Sequence, residues 1–545
     1  MAHVMLHREK HFSRSRLVPP TTSFLLVLPG ASLYVATAFV GVWVSFSPFY
    51  AWLRFLLILG TVALMLLATT LHASLREHFW RWLGPLAAGM GGGLAVLFLL
   101  ALGLGDRVLP TWISVQADTI DGLLVVLFPL ALAGAWRAWQ GGYTPVERGA
   151  MVLAVALMVA AVLLSESKAP KLTLLIGGLA LGYLQVRARL PGARLMDVGL
   201  YVLLPLGALV VFLWLLRLPA EAFPPGFLVG RLTTWRKMAL LVGDYPFTGS
   251  GLVGTGMVYS TYVHLVHVPY LYHAYQLFLQ VAIEQGLLGM AGLATLAAIA
   301  VWYSGPWRAE RWTVQRAAVH ASVLTFLVYG MLDSETYTGV FMPVLFLPLI
   351  ATFALIVDSD RRSSRQIVAL QVGGLAALVV GIVLAIVGIP QVQARWHANL
   401  GSVYQTQVEL KGYRWPTIPI QDEIRRLRAQ ELAPAFAHFQ AALDLDPNDP
   451  VANRRLGQME LSLGRYDEAR EHLERAYRMD PAHRATRQML GEVYAIQGQV
   501  AEAARLWSTL DLDNAQLEIR RWWYQYIGEP ARADRIRMAT VETDP

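Results

Sequence analysis

Apolar runs long enough to cross a lipid bilayer recur from the N-terminal region to about residue 390, and no other feature limits the possible folds as strongly. About eleven runs approach the roughly 20 residues that a transmembrane helix needs. They lie near residues 22–44, 51–71, 83–104, 119–136, 149–165, 171–187, 197–216, 275–303, 317–332, 339–357 and 367–389. Only 15% of the chain is charged, against roughly 25% in soluble domains. The sequence therefore predicts an all-α polytopic membrane domain over residues 1–390, with about eleven transmembrane helices.

The charges between these runs predict how the membrane domain is oriented. Arginines occur in alternate connections, which are cytoplasmic by the positive-inside rule. These connections contain Arg76 and Arg81; Arg137 and Arg148; Arg187, Arg189 and Arg194; Arg308, Arg311 and Arg316; and Arg361, Arg362 and Arg365. The basic N-terminal segment has no convincing cleavage site and is expected in the cytoplasm as well. The connection 165–171, the long connection of about 217–273 and the chain after the last run are then extracytoplasmic.

Composition excludes or disfavours several kinds of chemistry. The chain has no cysteine, which excludes disulfides, thiolate nucleophiles and cysteine-ligated zinc. His264, His267 and His273 have no acidic or cysteine residue that completes an obvious ligand set, so we expect no metal. We expect no other cofactor either. The net charge of +7 comes from the membrane part, where it reports topology, and no nucleic-acid partner is expected.

A glycine pattern in the central part of the chain is similar to a dinucleotide fingerprint. Gly249, Gly251 and Gly254 have the spacing Gly-x-Gly-x-x-Gly. In nucleotide-binding folds this pattern follows a strand, whereas here it follows Asp-Tyr-Pro-Phe-Thr. We interpret it as a turn that lets the backbone approach a phosphate or a neighbouring helix closely.

After about residue 422 the chain becomes charged and alanine-rich, and its helices repeat at a regular interval. Pro447 recurs as Pro481, and Gly464 recurs as Gly498. This interval is that of the tetratricopeptide repeat, roughly 34 residues, and the pattern resembles that α-solenoid, whose paired helices cross at small residues. The predicted divisions are a linker (391–431), a repeat domain (432–528) and a tail (529–545). Such a short array more often docks a protein partner or supports a structure than catalyses a reaction.

The polar connection in the middle of the membrane domain carries the candidate chemistry. The stretch Arg231–Gly289 is too long for a simple loop; it begins RLTTWRKMALLVGDYPFTGSGLVGTG and ends HAYQLFLQVAIEQGLLG. Arg231 lies one helical turn before Trp235, and His273 lies at helical spacing from Gln276 before an apolar helix. These pairs predict an outward-facing site for an anionic, lipid-linked substrate.

Both ends of this stretch resemble the O-antigen ligase and O-antigen polymerase superfamily. The first block has an arginine, a tryptophan, a proline and Gly-x-Gly in the superfamily's order. In the second block, Tyr275 holds the superfamily's histidine position, Gln276 the next polar position, and Gly286 and Gly289 its Gly-x-x-Gly. His273 lies two residues earlier, where many members have an additional histidine. A weaker third match puts Lys168, in SESKAPK, at an arginine position.

The resemblance implies a glycosyltransferase of the bacterial inner membrane. Such an enzyme moves a glycan from a polyprenyl (undecaprenyl) diphosphate to an acceptor hydroxyl on the extracytoplasmic face, by metal-independent inverting displacement. His273 is implied as the base, while Arg231 and Lys168 stabilise the departing diphosphate. The other candidate substrate-binding residues are Trp235, Arg236, Lys237, Lys171, Tyr275 and Gln276. Expected partners are the lipid-linked glycan, its acceptor, membrane lipids and a protein bound by the repeats.

Several alternatives stay open at this stage. The acceptor separates a ligase from a polysaccharide polymerase or a protein O-oligosaccharyltransferase, and a more distant alternative is a non-enzymatic transporter or scaffold. The basic residues could instead anchor lipid head groups, and His273 could be a half-buried structural residue. Asp333 and Glu335 could face the site as acceptor ligands or a substitute base, or could be solvated charges.

Overall fold

The computed structural model describes residues 22–71, 73–104, 117–187, 197, 227–269, 271–308, 313–356, 361–413, 419–510, 512 and 514–541. Every regular element in these ranges is a helix, and the all-α prediction is confirmed. The first six helices are α1 (Thr22–Val44), α2 (Pro48–Thr69), α3 (Ala73–Leu104), α4 (Ala117–Gln140), α5 (Pro145–Leu164) and α6 (Lys168–Val186). Next come α7 (Phe227–Asp244), α8 (Thr255–Tyr259), α9 (Leu277–Ser304), α10 (Val314–Leu332), α11 (Glu335–Thr338), α12 (Met342–Leu345), α13 (Leu347–Leu355), α14 (Arg361–Gly388) and α15 (Pro390–Leu410).

Within the described ranges, seven helices are long and apolar enough to cross a membrane, namely α1 to α6 and α9. An eighth crossing results if α14 and α15, which meet at a bend of 97°, are counted as one broken span. Of the other predicted runs, 197–216 lies outside the described residues except for Asp197. The run 317–332 forms α10, and 339–357 is divided between α12 and α13. The chain is a multi-pass helical membrane protein, and the number of about eleven crossings stays a prediction.

Prolines explain why the predicted run 339–357 is not one continuous helix. Pro343 lies in the first turn of α12, and Pro348 lies in the first turn of α13. Proline is tolerated in a first turn but interrupts the hydrogen bonding of any helix that continues through it. Two short helices therefore replace one long span directly after residues 333–338, which lie at the candidate site.

The predicted glycine turn packs against a break in α9. Gly286 interrupts this helix with a φ of 76°. Ser250 N–H donates to the Ile283 carbonyl at 2.7 Å, and Leu287 N–H donates to the Pro246 carbonyl at 2.9 Å. A Cβ atom on Gly249 would lie 2.3 Å from the backbone of Glu284. The turn therefore satisfies backbone groups near the α9 break, and glycine allows the close approach.

The repeat domain follows α15 as a series of paired helices. They are α16 (Gln421–Leu427), α17 (Ala433–Leu445), α18 (Pro450–Leu463), α19 (Tyr466–Met479), α20 (Arg484–Ile496), α21 (Val500–Trp507), α22 (Asn514–Tyr526) and α23 (Pro530–Val541). Gly464 and Gly498, which hold equivalent positions in successive repeats, follow α18 and α20 with φ values of 82° and 91°. Glycine is favoured at such left-handed helix ends. Part of the predicted linker is helical, since most of α15 lies within it. This helix packs against α17.

Candidate active site

Arg231 and Tyr275 come together although they lie on separate elements, α7 and the loop before α9. The guanidinium carbon of Arg231 lies 3.8 Å from the ring centre of Tyr275, a cation–π distance. Arg231 Nη2 also lies 3.3 Å from Asp333 Oδ2, and Trp235 Nε1–H donates to the Tyr275 carbonyl at 3.0 Å. Tyr275 has a φ of 54°, which is uncommon for an aromatic residue and occurs more often at functional sites.

His273 lies on the same side of the protein, on the loop that leads into α9. Its ring centre is 6.2 Å from that of Tyr275. His273 Nδ1 is 3.2 Å from Thr338 Oγ1, and Thr338 donates its hydroxyl hydrogen to the Glu335 carbonyl at 2.8 Å. Thr338 therefore accepts from His273, so Nδ1 carries the hydrogen and Nε2 has a free lone pair. Burial, with a smaller contribution from the positive charge of Arg54, lowers the pKa of His273 to about 4.

A cavity of about 310 Å³ lies beside His273. Its polar lining includes Arg54, Glu284, Gln280 and Thr338, and the backbone of the glycine-rich segment 253–256 closes one side. Arg54 is 4% exposed and Glu284 is 2% exposed. The cavity thus combines a buried cation, a buried carboxylate and an imidazole.

Arg54 has fewer polar partners than a buried arginine normally needs. Its Nη1 donates to the Gly339 carbonyl at 3.5 Å, and its guanidinium carbon lies 4.1 Å from the ring centre of Tyr337. Its Nε and Nη2 have no hydrogen-bond partner among the described residues, and neither has Glu284 Oε2. Burying a cation is costly unless it is paired and hydrogen-bonded. An anionic ligand in the cavity would supply the missing acceptors.

Gln276 and Gln280, two of the three glutamines in the second sequence block, shape the loop of His273. Gln276 caps α9, because its side-chain oxygen accepts from the Leu279 N–H. Gln280 Oε1 accepts from the Ala274 N–H at 2.8 Å, and its amide donates to Thr255 Oγ1 and Glu284 Oε1, each at 2.9 Å. Gln276 was proposed from the sequence as a substrate-binding residue, and its described contacts also fit a structural role at the helix start.

The predicted lysines lie in the first turn of α6. Lys168 is exposed and Lys171 is partly exposed. In the described part of the chain, no hydrogen bond or ion pair joins either lysine to Arg231 or His273. They lie toward the same end of the helices as Glu335, since Ser165, just before α6, donates to Asp121 at 2.6 Å. Asp121 lies two residues after Thr119, which contacts Glu335.

The other predicted residues lie on α7 and on the following loop. Arg236 and Lys237 are partly buried on α7 next to Trp235.

Among the residues that the structure describes, no group of three histidine, cysteine or acidic side chains is arranged to hold a metal ion. His264 and His267 belong to a segment that contacts the repeat domain, where His264 bonds to Gln516.

Sequence reasoning missed Arg54 and Glu284. Arg54 lies inside the run 51–71, which was interpreted only as a membrane span, and Glu284 lies in the apolar part of the second sequence block, where it was given no role. An ionisable residue within such a run was the available signal, because burying one in a membrane is costly and is retained mainly for function. Asp333, which was left open as a possible site residue, contacts Arg231.

The fold and the cavity define the class of protein. It is a multi-pass helical membrane protein with a buried, arginine-lined cavity and a helical repeat domain. Comparison with protein families then identifies the parts. The O-antigen ligase family model matches residues 153–294, and a tetratricopeptide repeat model matches residues 426–475 and 460–523. Residues 153–294 are therefore similar to the O-antigen ligase family and residues 426–523 to tetratricopeptide repeats, as the resemblance indicated. No curated protein and no solved structure matches it.

Proposed function

We propose that this protein transfers a glycan from a polyprenyl diphosphate, such as undecaprenyl diphosphate, to an acceptor hydroxyl on the extracytoplasmic face of a bacterial inner membrane. One observation carries the proposal: Arg54 has two buried nitrogens without partners among the described residues, in the cavity that His273 also lines. A diphosphate provides several anionic oxygens. Arginine binds such oxygens through charge-assisted hydrogen bonds that strengthen where water is excluded.

A second arginine lies close to this cavity. Arg231 contacts Tyr275, whose ring is near that of His273. In the proposed complex, Arg54 and Arg231 contact the diphosphate from two sides, and the ring of Tyr275 packs between Arg231 and the sugar. Lys168 remains a sequence-based candidate for the same charge. Asp333, which contacts Arg231, keeps this side chain oriented until the donor binds.

The proposed reaction is a direct displacement at the anomeric carbon. The acceptor oxygen attacks this carbon and its proton passes to Nε2 of His273, the nitrogen with the free lone pair. The bond between the anomeric carbon and the diphosphate oxygen breaks, and its electron pair leaves with the polyprenyl diphosphate. Arg54 and Arg231 stabilise the charge that develops on the leaving group. Attack from the opposite side inverts the configuration, and no metal takes part.

A low pKa keeps His273 neutral, and therefore able to accept a proton, at physiological pH. It also makes the free imidazole a weak base, since catalytic bases work best with a pKa near the working pH. A bound diphosphate would raise the pKa of His273, because it neutralises the charge of Arg54 and adds negative charge beside the ring. The donor would therefore strengthen the base.

Reconstitution with defined substrates tests this function. Purified protein in lipid nanodiscs is given an undecaprenyl-diphosphate-linked glycan together with a lipid A core, a glycan or a pilin acceptor. We expect transfer to one acceptor class, and a loss of about 10²-fold or more in Arg231→Ala. Arg475→Ala, which alters an exposed arginine of the repeats, is the control. Absence of transfer to all three acceptors, or full activity in Arg231→Ala, contradicts the proposal.

A further inference from the structure

One segment of the membrane domain lies across the repeat domain. Residues 260–264 form a π-helical turn after α8, and Leu265 ends it with a φ of 56°. The repeat-domain side chains that bond to this segment come from α18, α20 and α22, which are the first helices of successive pairs. We call the surface formed by these three helices the inner face of the repeats.

The inner face binds the backbone of the segment as well as its side chains. Gln458 donates to the Thr261 carbonyl at 3.3 Å. Arg484 Nη1 donates to the His264 carbonyl at 2.7 Å, and Gln516 Nε2 donates to His264 Nε2 at 3.2 Å. Leu265 packs against the apolar core of the repeats. Tetratricopeptide arrays use their extended concave surfaces for binding, and here the described occupant is part of the same chain.

A second contact fixes the end of α7. Asp244, the last residue of this helix, is 2% exposed. Its carboxylate accepts from Arg454 and from Arg455, the latter at 2.7 Å. Burial opposes the ionisation of Asp244, but the charges of the two arginines outweigh it and lower the pKa of Asp244. Arg455 also lies 3.5 Å from the ring centre of Tyr262, in the bound segment.

These two contacts restrain both elements that carry the candidate site residues, namely α7 and the loop before α9. Arg231 lies on α7, about 20 Å from Asp244 at the helical rise of about 1.5 Å per residue. His273 lies on the chain that continues from His264 toward α9. Buried ion pairs add little net stability compared with apolar packing, but breaking one is costly, so they favour a single arrangement of the groups they join.

We propose that the repeat domain is a positioning element for glycan transfer. By binding segment 260–265 and the end of α7, it keeps His273 and Arg231 at the relative positions that transfer requires. This inference rests on the proposed function for its catalytic consequence. Arg484 and Gln516 are positioning residues, since they act through the segment and have no described contact with the reacting groups.

Arg484 can be tested against a close neighbour on the same helix. Arg484→Ala removes the bond to the His264 carbonyl, whereas Arg487→Ala removes a partly exposed arginine that bonds to Thr509. We expect kcat at saturating donor to fall about 10-fold to 100-fold in Arg484→Ala, since a displacement of about 1 Å can cost 10²-fold. Arg487→Ala should keep the wild-type kcat. Arg484→Lys, which retains a donor, should recover part of the loss.

A label on the loop supplies a readout that does not depend on transfer. Because the chain has no cysteine, Tyr272→Cys creates one site for a spin label at an exposed position next to His273. The label should become more mobile when Arg484→Ala is added, and should be unchanged with Arg487→Ala. If Arg484→Ala does not fold, Gln516→Leu replaces it in both measurements, with the same expected directions.

Two results overturn the inference. Wild-type kcat in a folded Arg484→Ala protein overturns it, whatever the label reports. Unchanged label mobility overturns it as well, because the repeats would then not hold the segment. Absence of transfer by the wild-type protein is a separate result that contradicts the proposed function, and the label then decides whether the repeats hold the loop.

Discussion

The cavity of the membrane domain and the interface with the repeat domain both bury arginine, but they satisfy it differently. At the interface, Arg454 and Arg455 each form an ion pair with Asp244, although Nε of each has no hydrogen-bond partner among the described residues. The carboxylate of Glu409 likewise accepts from Arg425 at both oxygens, each at 2.8 Å. In the cavity, Arg54 donates to a carbonyl at 3.5 Å and has two nitrogens without partners in the described part of the chain.

This difference distinguishes buried charges that stabilise the fold from buried charges that bind a ligand. A charge whose partner is another side chain is satisfied as soon as the protein folds. A charge whose hydrogen bonds are incomplete raises the free energy of the empty protein, and this cost is recovered when an anion binds. Substitutions at the interface should therefore affect stability as well as activity, whereas substitutions in the cavity should affect mainly activity.

Removing the imidazole of the cavity should have the largest effect. We expect His273→Ala to lower kcat by about 10²–10⁴-fold, the usual contribution of a general base. The melting temperature should stay close to that of the wild type. His438→Ala, which alters a partly exposed histidine beside the repeats, is the control. A His273→Ala protein within about tenfold of wild-type activity would mean that another group takes the proton.

Arg54→Gln should lower activity by about 10²–10³-fold, because it removes the charge that stabilises the leaving diphosphate. Its melting temperature should change little, because two nitrogens of Arg54 have no hydrogen-bond partner among the described residues. Transfer assays and thermal unfolding of the same preparation check both expectations. A clear loss of stability together with full activity would show instead that Arg54 stabilises the fold.

Arg455→Met should lower stability, in contrast to Arg54→Gln, and should also lower activity because it loosens the end of α7 that carries Arg231. Breaking this buried pair leaves Asp244 with less compensation, and such changes cost about 3–5 kcal/mol. The exposed pair between Arg475 and Glu471 provides the matched control, for which Arg475→Met should cost at most about 1 kcal/mol. Thermal or denaturant unfolding of the purified proteins gives the comparison. Equal stability of the two variants would contradict a structural role for the buried pair.

Lys168→Ala tests a residue that the sequence proposed for the site and that the structure leaves exposed. A basic side chain near an anionic membrane surface contributes about 1 kcal/mol to the attraction of an anion. We therefore expect roughly a fivefold increase in the KM for the donor, with kcat unchanged. Measuring initial rates over a range of donor concentrations separates the two constants. A loss of kcat as large as that of Arg54→Gln would instead put Lys168 at the diphosphate.

The pH dependence should be the smallest effect. With a pKa of about 4, His273 is neutral in the free protein from pH 7 to pH 5. Over this range kcat/KM, which reports the free enzyme, should change by less than about twofold and then fall as the pH approaches 4. A pKa lowered by folding also means that stability decreases as the pH falls from 6.5 toward 4. An acid limb near pH 6.5 would show that His273 is more exposed to water than the structure indicates.

The sequence by itself determined the helical membrane class, the repeat domain and the O-antigen ligase resemblance. Each of these depends on local periodicity or on spacing within one block, such as the interval at which Gly464 recurs as Gly498. The glycine turn was also predictable, because Gly249 follows no strand. Its close packing against Glu284, however, appears only in the structure.

Only the tertiary structure decided which charges meet. Arg54 and Glu284 are distant in the chain and lie within separate apolar runs, so neither periodicity nor motif spacing joins them. Arg231 reaches Asp333, and Asp244 reaches Arg455, by contacts that depend on how whole helices pack. Sequence periodicity specifies which face of a helix is apolar. It does not specify which distant polar group lies opposite, and that pairing separates the proposed binding cavity from the structural interface.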